Sequence, residues 1–202
     1  MHFLKNLLIL DRMLILLELN KSEVIKMTEP EVSLYIALFY IKNGLTDENI
    51  KVSIDGAHVK TKNQIHFDIH SFMQNNNCVK TDGDTKRWQG IYEIKGYKPK
   101  IEISSMPGIG DINIQLLSGE LLWIESKKGK TNKSGQEYVL MREAIGQLMT
   151  NEYMPASATP VVAVPYSEKS FDLANKWSHL QRIKNANIKF FLVKEDGSII
   201  YT

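Results

Sequence analysis

The stretch that most limits how this chain folds is GIGDINIQLLSGELLWIESKKGK, residues 108–130. Side chains along an extended strand alternate between its two faces. Ile112, Ile114 and Leu116 therefore share one face of a first strand, leaving Asp111, Asn113 and Gln115 on the other. Along a second strand Leu122 and Ile124 face the core, while Trp123, Glu125 and Lys127 point the opposite way. A hairpin inside one sheet needs both apolar sets on the same face, and that requirement restricts its register. A two-residue turn at Ser118-Gly119 pairs Asp111 with Ser126 and splits the charged residues. A three-residue turn with Gly119 left-handed brings Asp111 opposite Glu125 or Lys127. The hydrophobic pattern thus predicts two acids and a lysine on one face, at one end of a buried hairpin.

Two carboxylates held together repel unless a cation neutralises them. Oxygen ligands alone select a hard ion such as Mg²⁺, which keeps several waters and shares phosphate oxygens. Lys127, two residues from Glu125, points the same way, within reach of an attacking water or a phosphate. Asp111 and Glu125 as metal ligands with Lys127 beside them suit hydrolysis of a phosphodiester. The plainer alternative is an aspartate at a turn next to a Glu–Lys pair at a sheet end, which contributes little.

Around this hairpin the chain reads as alternating helices and strands. Thr28 is an N-cap, Glu31 completes a capping box, Pro30 fits the first turn, and Gly44 stops the helix. Residues 45–100 hold short β-like runs, at 51–54, 64–67 and 91–95, among polar turns, with another at 100–104. The polar tract 74–86 reads as a loop. A helix is predicted from Gln136 to Tyr153, a strand over 159–165, a helix from Glu168 to Lys184, and two closing strands. The result is a single α/β domain spanning 1–202, with one mixed sheet flanked by helices. Residues 1–27 read as an apolar helix. Asp11, Arg12 and Glu18 interrupt it, so neither a membrane span nor a signal peptide is expected. The lone Cys78 suits a reducing compartment, and a cytoplasmic location is expected.

The segment Gly110-Asp111-(x)13-Glu125-Ser126-Lys127 resembles the signature of the PD-(D/E)xK nucleases, the restriction-endonuclease-like fold. In that family the Asp opens one strand and the Glu and Lys close the next; here Gly110 stands where the family name has proline. The capped helix resembles the family's first helix, which often carries a glutamate; Glu31 is the candidate and Glu29 the alternative. The segment REAIGQLM resembles the helix after the E-x-K strand and points to Gln147. The likeness covers about 29–40 and 101–165. It implies a restriction-endonuclease-like mixed sheet, with residues 45–100 as an insertion used for substrate recognition. It further implies a Mg²⁺-dependent (or Mn²⁺-dependent) nuclease, an endonuclease on duplex or branched DNA. Asp111 and Glu125 would bind the metal, Lys127 would orient water, and Glu31 and Gln147 would assist. Duplex cleavage by this fold commonly uses two sites, so a homodimer is expected, with the apolar N-terminal helix as a candidate interface.

Other motifs are weaker. Gly129-Lys130-Thr131 ends like a P-loop, but Ile124 stands where the first glycine is needed. Gly108 and Gly110 lack a third glycine, since Asn113 occupies that place. His66, Asp68 and His70 would share a strand face, with Cys78 beyond, but a second ligand pair at zinc spacing is missing. The net charge is only +2, so any phosphate-binding surface must be local. Lys128, Lys130 and Lys133 follow the hairpin, and Arg87 and Lys98 lie among Trp88, Tyr92 and Tyr97. These five are the candidate nucleic-acid contacts. Competing readings are a catalytically silent nucleic-acid-binding or assembly protein of the same fold, a nuclease for RNA or branched DNA, and a metal hydrolase built on His66 to His70.

Overall fold

A computed structural model describes residues 27–84, 86–108, 110–129 and 136–202. The predicted N-terminal helix and its dimer contact therefore lie outside the described residues, Met27 excepted. Helix α1 (Glu29–Lys42) leads into strand β1 (Ile50–Ser53) and a short helix α2 (Gly56–Val59). A small ribbon of β2 (Lys60–Thr61) and β3 (Gln64–Ile65) precedes helix α3 (Ile69–Asn75). Strands β4 (Cys78–Lys80), β5 (Gly90–Ile94) and β6 (Lys100–Ser104) come next, then the hairpin β7 (Ile112–Gln115) and β8 (Leu121–Ser126). Helix α4 (Gln136–Thr150), strand β9 (Thr159–Pro165), helices α5 (Glu168–Ser178) and α6 (Gln181–Asn185), and strands β10 (Lys189–Val193) and β11 (Ile199–Tyr201) complete the chain.

All strands but β2 and β3 form one mixed sheet, in the order β11-β10-β9-β8-β7-β1-β6-β5-β4. The β1–β6, β8–β9 and β9–β10 pairs are parallel and the remainder antiparallel. Residues 45–100, read as an insertion, contribute strands to the main sheet. Their first strand, β1, lies at its interior between β7 and β6, and β4 and β5 extend its edge. The strands read at 51–54, 91–95 and 100–104 are present, but the central place of the first in the sheet, where Ile50 and Val52 are fully buried, leaves little trace in so short a run.

Helix α1 is apolar nearly all round because it is enclosed. Val32, Leu34, Ile36, Ala37 and Ile41 are buried on one side of the sheet, with Val52, Ile112, Ile114, Leu122 and Ile124. Each such fully buried aliphatic side chain contributes about 1.5–3 kcal/mol. The opposite face, around Trp123, Val162 and Phe190, is covered by Met141, Ala144 and Leu148 of α4 and by Ala174 and Trp177 of α5. Strand β9 is apolar from Pro160 onward because helices cover both of its faces.

Several elements differ from the sequence reading, among them β4, which forms inside the tract 74–86 read as a loop. Helix α4 stops at Thr150 rather than Tyr153. The helix expected over 168–184 breaks, because Ser178 Oγ and His179 Nδ1 donate to the Asn175 carbonyl at 2.9 and 2.6 Å and compete with the helical ladder. Strand β3 ends before His66, which meets Thr61 Oγ1 at 2.6 Å, while Asp68 caps α3 by accepting from Ser71 N at 3.1 Å. His66, Asp68 and His70 therefore do not share a strand face. Among the described residues, no helix is long and apolar enough to cross a membrane.

Candidate active site

The hairpin closes through a three-residue turn, Leu117 to Gly119. Leu116 N donates to Glu120 O at 2.8 Å, and Gly119 takes a left-handed φ of 87°. Ile112 pairs with Ile124 and Ile114 with Leu122, so one further step places Asp111 across from Glu125. Asp111 N donates to Ile124 O at 3.1 Å, which fixes that step. Its side chain is held as well, because Asp111 Oδ2 accepts from Ser126 N at 2.7 Å. Gly110 has φ 72°, and a Cβ there would stand 2.5 Å from Trp123 Nε1. Proline, locked near φ −65°, cannot occupy this position, which accounts for the glycine in the motif.

Glu125 and Lys127 are buried, though both are ionisable. Lys127 Nζ lies 3.0 Å from Glu125 Oε1 and 3.7 Å from Glu143 Oε1 of α4. The residue between them, Ser126, is tied to α1: Ser33 Oγ donates to Ser126 Oγ at 2.9 Å. Glu29 stands one helical turn before Ser33 and so shares the face of α1 turned toward the site. Glu29 Oε1 also lies 3.2 Å from His58 Nδ1 of α2.

The helix glutamate is where geometry departs from expectation. Glu31 is about 200° around the helix from Glu29. Its Oε2 accepts from Thr28 N at 3.1 Å, closing the capping box, and its nearest charged influence is Glu195, not the hairpin. Glu31 is thus a structural cap, and Glu29 is the α1 carboxylate beside Asp111, Glu125 and Lys127. The capping pattern that made Glu31 conspicuous is itself what turns it away.

These groups share one electrostatic environment. Burial, followed by the charges of Glu125 and Glu29, pushes the Asp111 carboxyl well above its usual range. Burial also raises Glu125 and Glu29, with Lys127 pulling against it in each case. For Lys127 burial acts downward, but Glu125 and Glu29 outweigh it and its affinity for the proton is raised. It therefore remains an ammonium at neutral pH: a hydrogen-bond donor, not a base. Asp111, Glu125, Glu29 and Glu143 set four carboxyl groups around one buried ammonium, so acids outnumber cations here. A divalent cation would offset that excess, and oxygen donors suit Mg²⁺. Among the described residues, no group of three or more His, Cys, Asp or Glu side chains is gathered tightly enough to hold a metal ion. Asp111 and Glu125 stand opposite each other in the hairpin, and the charge of Glu29 reaches both.

A cleft of about 790 Å³ opens at this end of the sheet, lined by Asp111, Glu125 and Gln147 together with Trp88, Met106 and Tyr153. Gln147 of α4 thus reaches the same space as the acids. Lys128 is exposed and lies close enough to act on the Glu29 carboxyl. Arg87 is exposed next to Trp88 and pairs loosely with Asp84 at 3.7 Å. Lys98 lies in the β5–β6 turn, whereas Gly90 and Ser104, at the other ends of those strands, face the cleft end. Five residues at ~3.3 Å each separate it from the site, so Lys98 is not brought to it. Lys130 and Lys133 lie outside the described residues. Glu143 and His58 did not emerge from the sequence. Glu143 was legible, one turn before Gln147, but His58 sits in no recognisable motif. No family model, curated protein or solved structure matches this chain.

Proposed function

We propose that this chain is a Mg²⁺-dependent nuclease of restriction-endonuclease-like type, an endonuclease that hydrolyses phosphodiester bonds of DNA. The observation that carries the reading is the convergence of Asp111, Glu125 and Lys127 at one end of a single hairpin, in the register that its apolar residues demand. An ordinary surface Glu–Lys pair would be exposed and isolated. This one is buried, adjoins two further acids and borders a cleft.

Asp111 and Glu125 would hold Mg²⁺, with Mn²⁺ able to replace it, and the ion supplies Lewis-acid polarisation of the phosphate. Lys127, kept charged by Glu125 and Glu29, donates to an attacking water or a phosphate oxygen and stabilises the negative charge that develops there. Ser126 N fixes one oxygen of Asp111, so that carboxylate is oriented before anything binds. Gln147 supplies an amide at the cleft wall, suited to hydrogen-bonding substrate. Glu29 sets the field around Lys127 and replaces Glu31 in the role expected for a helix glutamate.

The test is cleavage of duplex, single-stranded and branched DNA and of RNA, with Mg²⁺ or Mn²⁺. Wild-type protein should cut DNA, while Asp111→Asn and Lys127→Ala should each reduce cutting by at least ~100-fold. Cleavage that survives both substitutions refutes the site. Binding with no cleavage of any substrate favours a silent nucleic-acid-binding protein instead.

A further inference from the structure

We propose that the cleft receives an unpaired DNA strand, with Tyr153 and Trp88 as the surfaces on which its bases stack. The proposal rests on the nuclease reading for the position of the scissile phosphate and adds the class of substrate. Both rings line the cleft that holds Asp111 and Glu125. Tyr153 is 63% exposed, a large aromatic surface left in water beside catalytic candidates.

The backbone of each residue is anchored. Asn151 Oδ1 accepts from Tyr153 N at 2.9 Å, and Asn151 Nδ2 donates to the Gly108 carbonyl at 3.2 Å. Gly108, at φ 89°, leaves room for the ring: a Cβ there would lie 3.1 Å from Tyr153. Tyr153 therefore rests on the loop that delivers Asp111 three residues later, and its distance from the acids is set by that loop. Trp88 packs against the α1-side core, and its carbonyl accepts from Tyr92 Oη at 2.8 Å. The two residues reach the cleft from different parts of the chain, one after α4 and one before β5.

Access to base faces decides between paired and unpaired DNA. Among the described residues lining the cleft are Asp55, Asp111, Glu125 and Glu152, and no Lys or Arg. A duplex presents phosphates outward and hides its base faces. Inside this cleft it gains nothing from the rings to offset the carboxylates. An unpaired strand can turn bases onto aromatic side chains, an interaction available to every base. The volume, about 790 Å³, falls in the range of pockets that enclose small molecules, on the scale of nucleotides rather than of a double helix.

The experiment measures binding apart from cleavage. In an Asp111→Asn background, a single-stranded DNA 12-mer containing 2-aminopurine is titrated by fluorescence and compared with the same sequence as a duplex. Tyr153→Leu and Trp88→Leu should each weaken single-strand binding by about 5- to 150-fold. Tyr153→Phe should retain it, the 2-aminopurine signal should be quenched only where the ring is present, and duplex binding should be unchanged by all three. Thermal melts confirm that the variants fold. Equal losses on single strand and duplex, loss in Tyr153→Phe, or no loss in either leucine variant overturns the proposal. The two readings fail separately. Wild-type cleavage that requires Asp111 but is indifferent to Tyr153 and Trp88 leaves the nuclease standing and removes the stacking surface. A strand that stacks on Tyr153 but is never cut does the reverse.

Discussion

Lys127 offers a quantitative test of the electrostatic arrangement. Its side chain is 5% exposed, with Nζ 3.0 Å from Glu125 Oε1. Lys127→Met retains much of the buried stem and deletes the charge, leaving Glu125 among Asp111 and Glu29 with no cation. Removing one partner of a buried ion pair costs about 3–5 kcal/mol. Burial already raises the Glu125 carboxyl, so it takes up a proton readily once the lysine is gone, and the loss settles near the lower figure, about 3 kcal/mol. At about 2–4 °C per kcal/mol for a domain of this size, melting at pH 8 should fall by about 6–12 °C. The sign with pH follows from proton uptake. The folded variant holds carboxyl protons that the unfolded chain loses above about pH 4. Its stability therefore declines as pH rises, and the deficit relative to wild type should narrow at pH 5. Glu125→Gln added to Lys127→Met should recover most of the loss, a coupling that a double-mutant cycle reads directly. Circular-dichroism melts of the four proteins in EDTA at pH 5 and pH 8 provide the assay. An unchanged melting temperature for Lys127→Met at pH 8, or a loss that Glu125→Gln does not relieve, refutes the reasoning.

Other outcomes follow from the same site. Asp111 has a raised carboxyl, so its ionised form opposes folding above the unfolded value near pH 4. Asp111→Asn should raise the melting temperature of the metal-free protein at pH 8, each 1 kcal/mol reading as about 2–4 °C, while abolishing cleavage. Glu29→Gln should lower cleavage by about 10- to 100-fold, whereas Glu31→Gln, which can still complete the capping box, should leave both activity and melting within about 0.5 kcal/mol of wild type. Gly110→Ala forces a side chain into φ 72° and against the Trp123 indole, and should cost about 1–3 kcal/mol in denaturant titrations and displace Asp111 enough to impair cleavage. Mg²⁺ binding should release protons and tighten with rising pH, because the raised carboxyls must ionise to accept it; calorimetry in buffers of different ionisation enthalpy measures the count.

What the sequence disclosed about this molecule follows the strength of its periodicities. The hairpin was legible to the level of register, because a one-residue slip would turn Ile112, Ile114, Leu122 and Ile124 out of the core. Thr28, Pro30 and Gly44 marked α1 within a residue or two. Within residues 45–100 the short strands were legible but their place in the sheet was not, because strands of four or five residues between polar turns carry too little pattern to show that β1 belongs at the sheet interior. Glu31 was chosen over Glu29 because capping chemistry is local and visible in sequence. The side of α1 that faces the site is set instead by Ser33 meeting Ser126, a contact across 93 positions. His58 and Tyr153 likewise acquire meaning only from chain segments that the fold brings together.

The turn at Leu117 to Gly119 has a consequence for how such a hairpin can change over generations. Thirteen residues separate Asp111 from Glu125, and strand alternation makes that number matter by its parity rather than its size. Adding one residue to each strand moves the turn outward and leaves the two acids facing each other. Adding a single residue to one strand, unless a bulge absorbs it, sends one acid to the far side of the sheet while the composition hardly alters. Within the strands length variation is therefore tolerated in pairs, and a one-residue deletion inside either strand, several positions from the acids, is as damaging to them as replacing one outright.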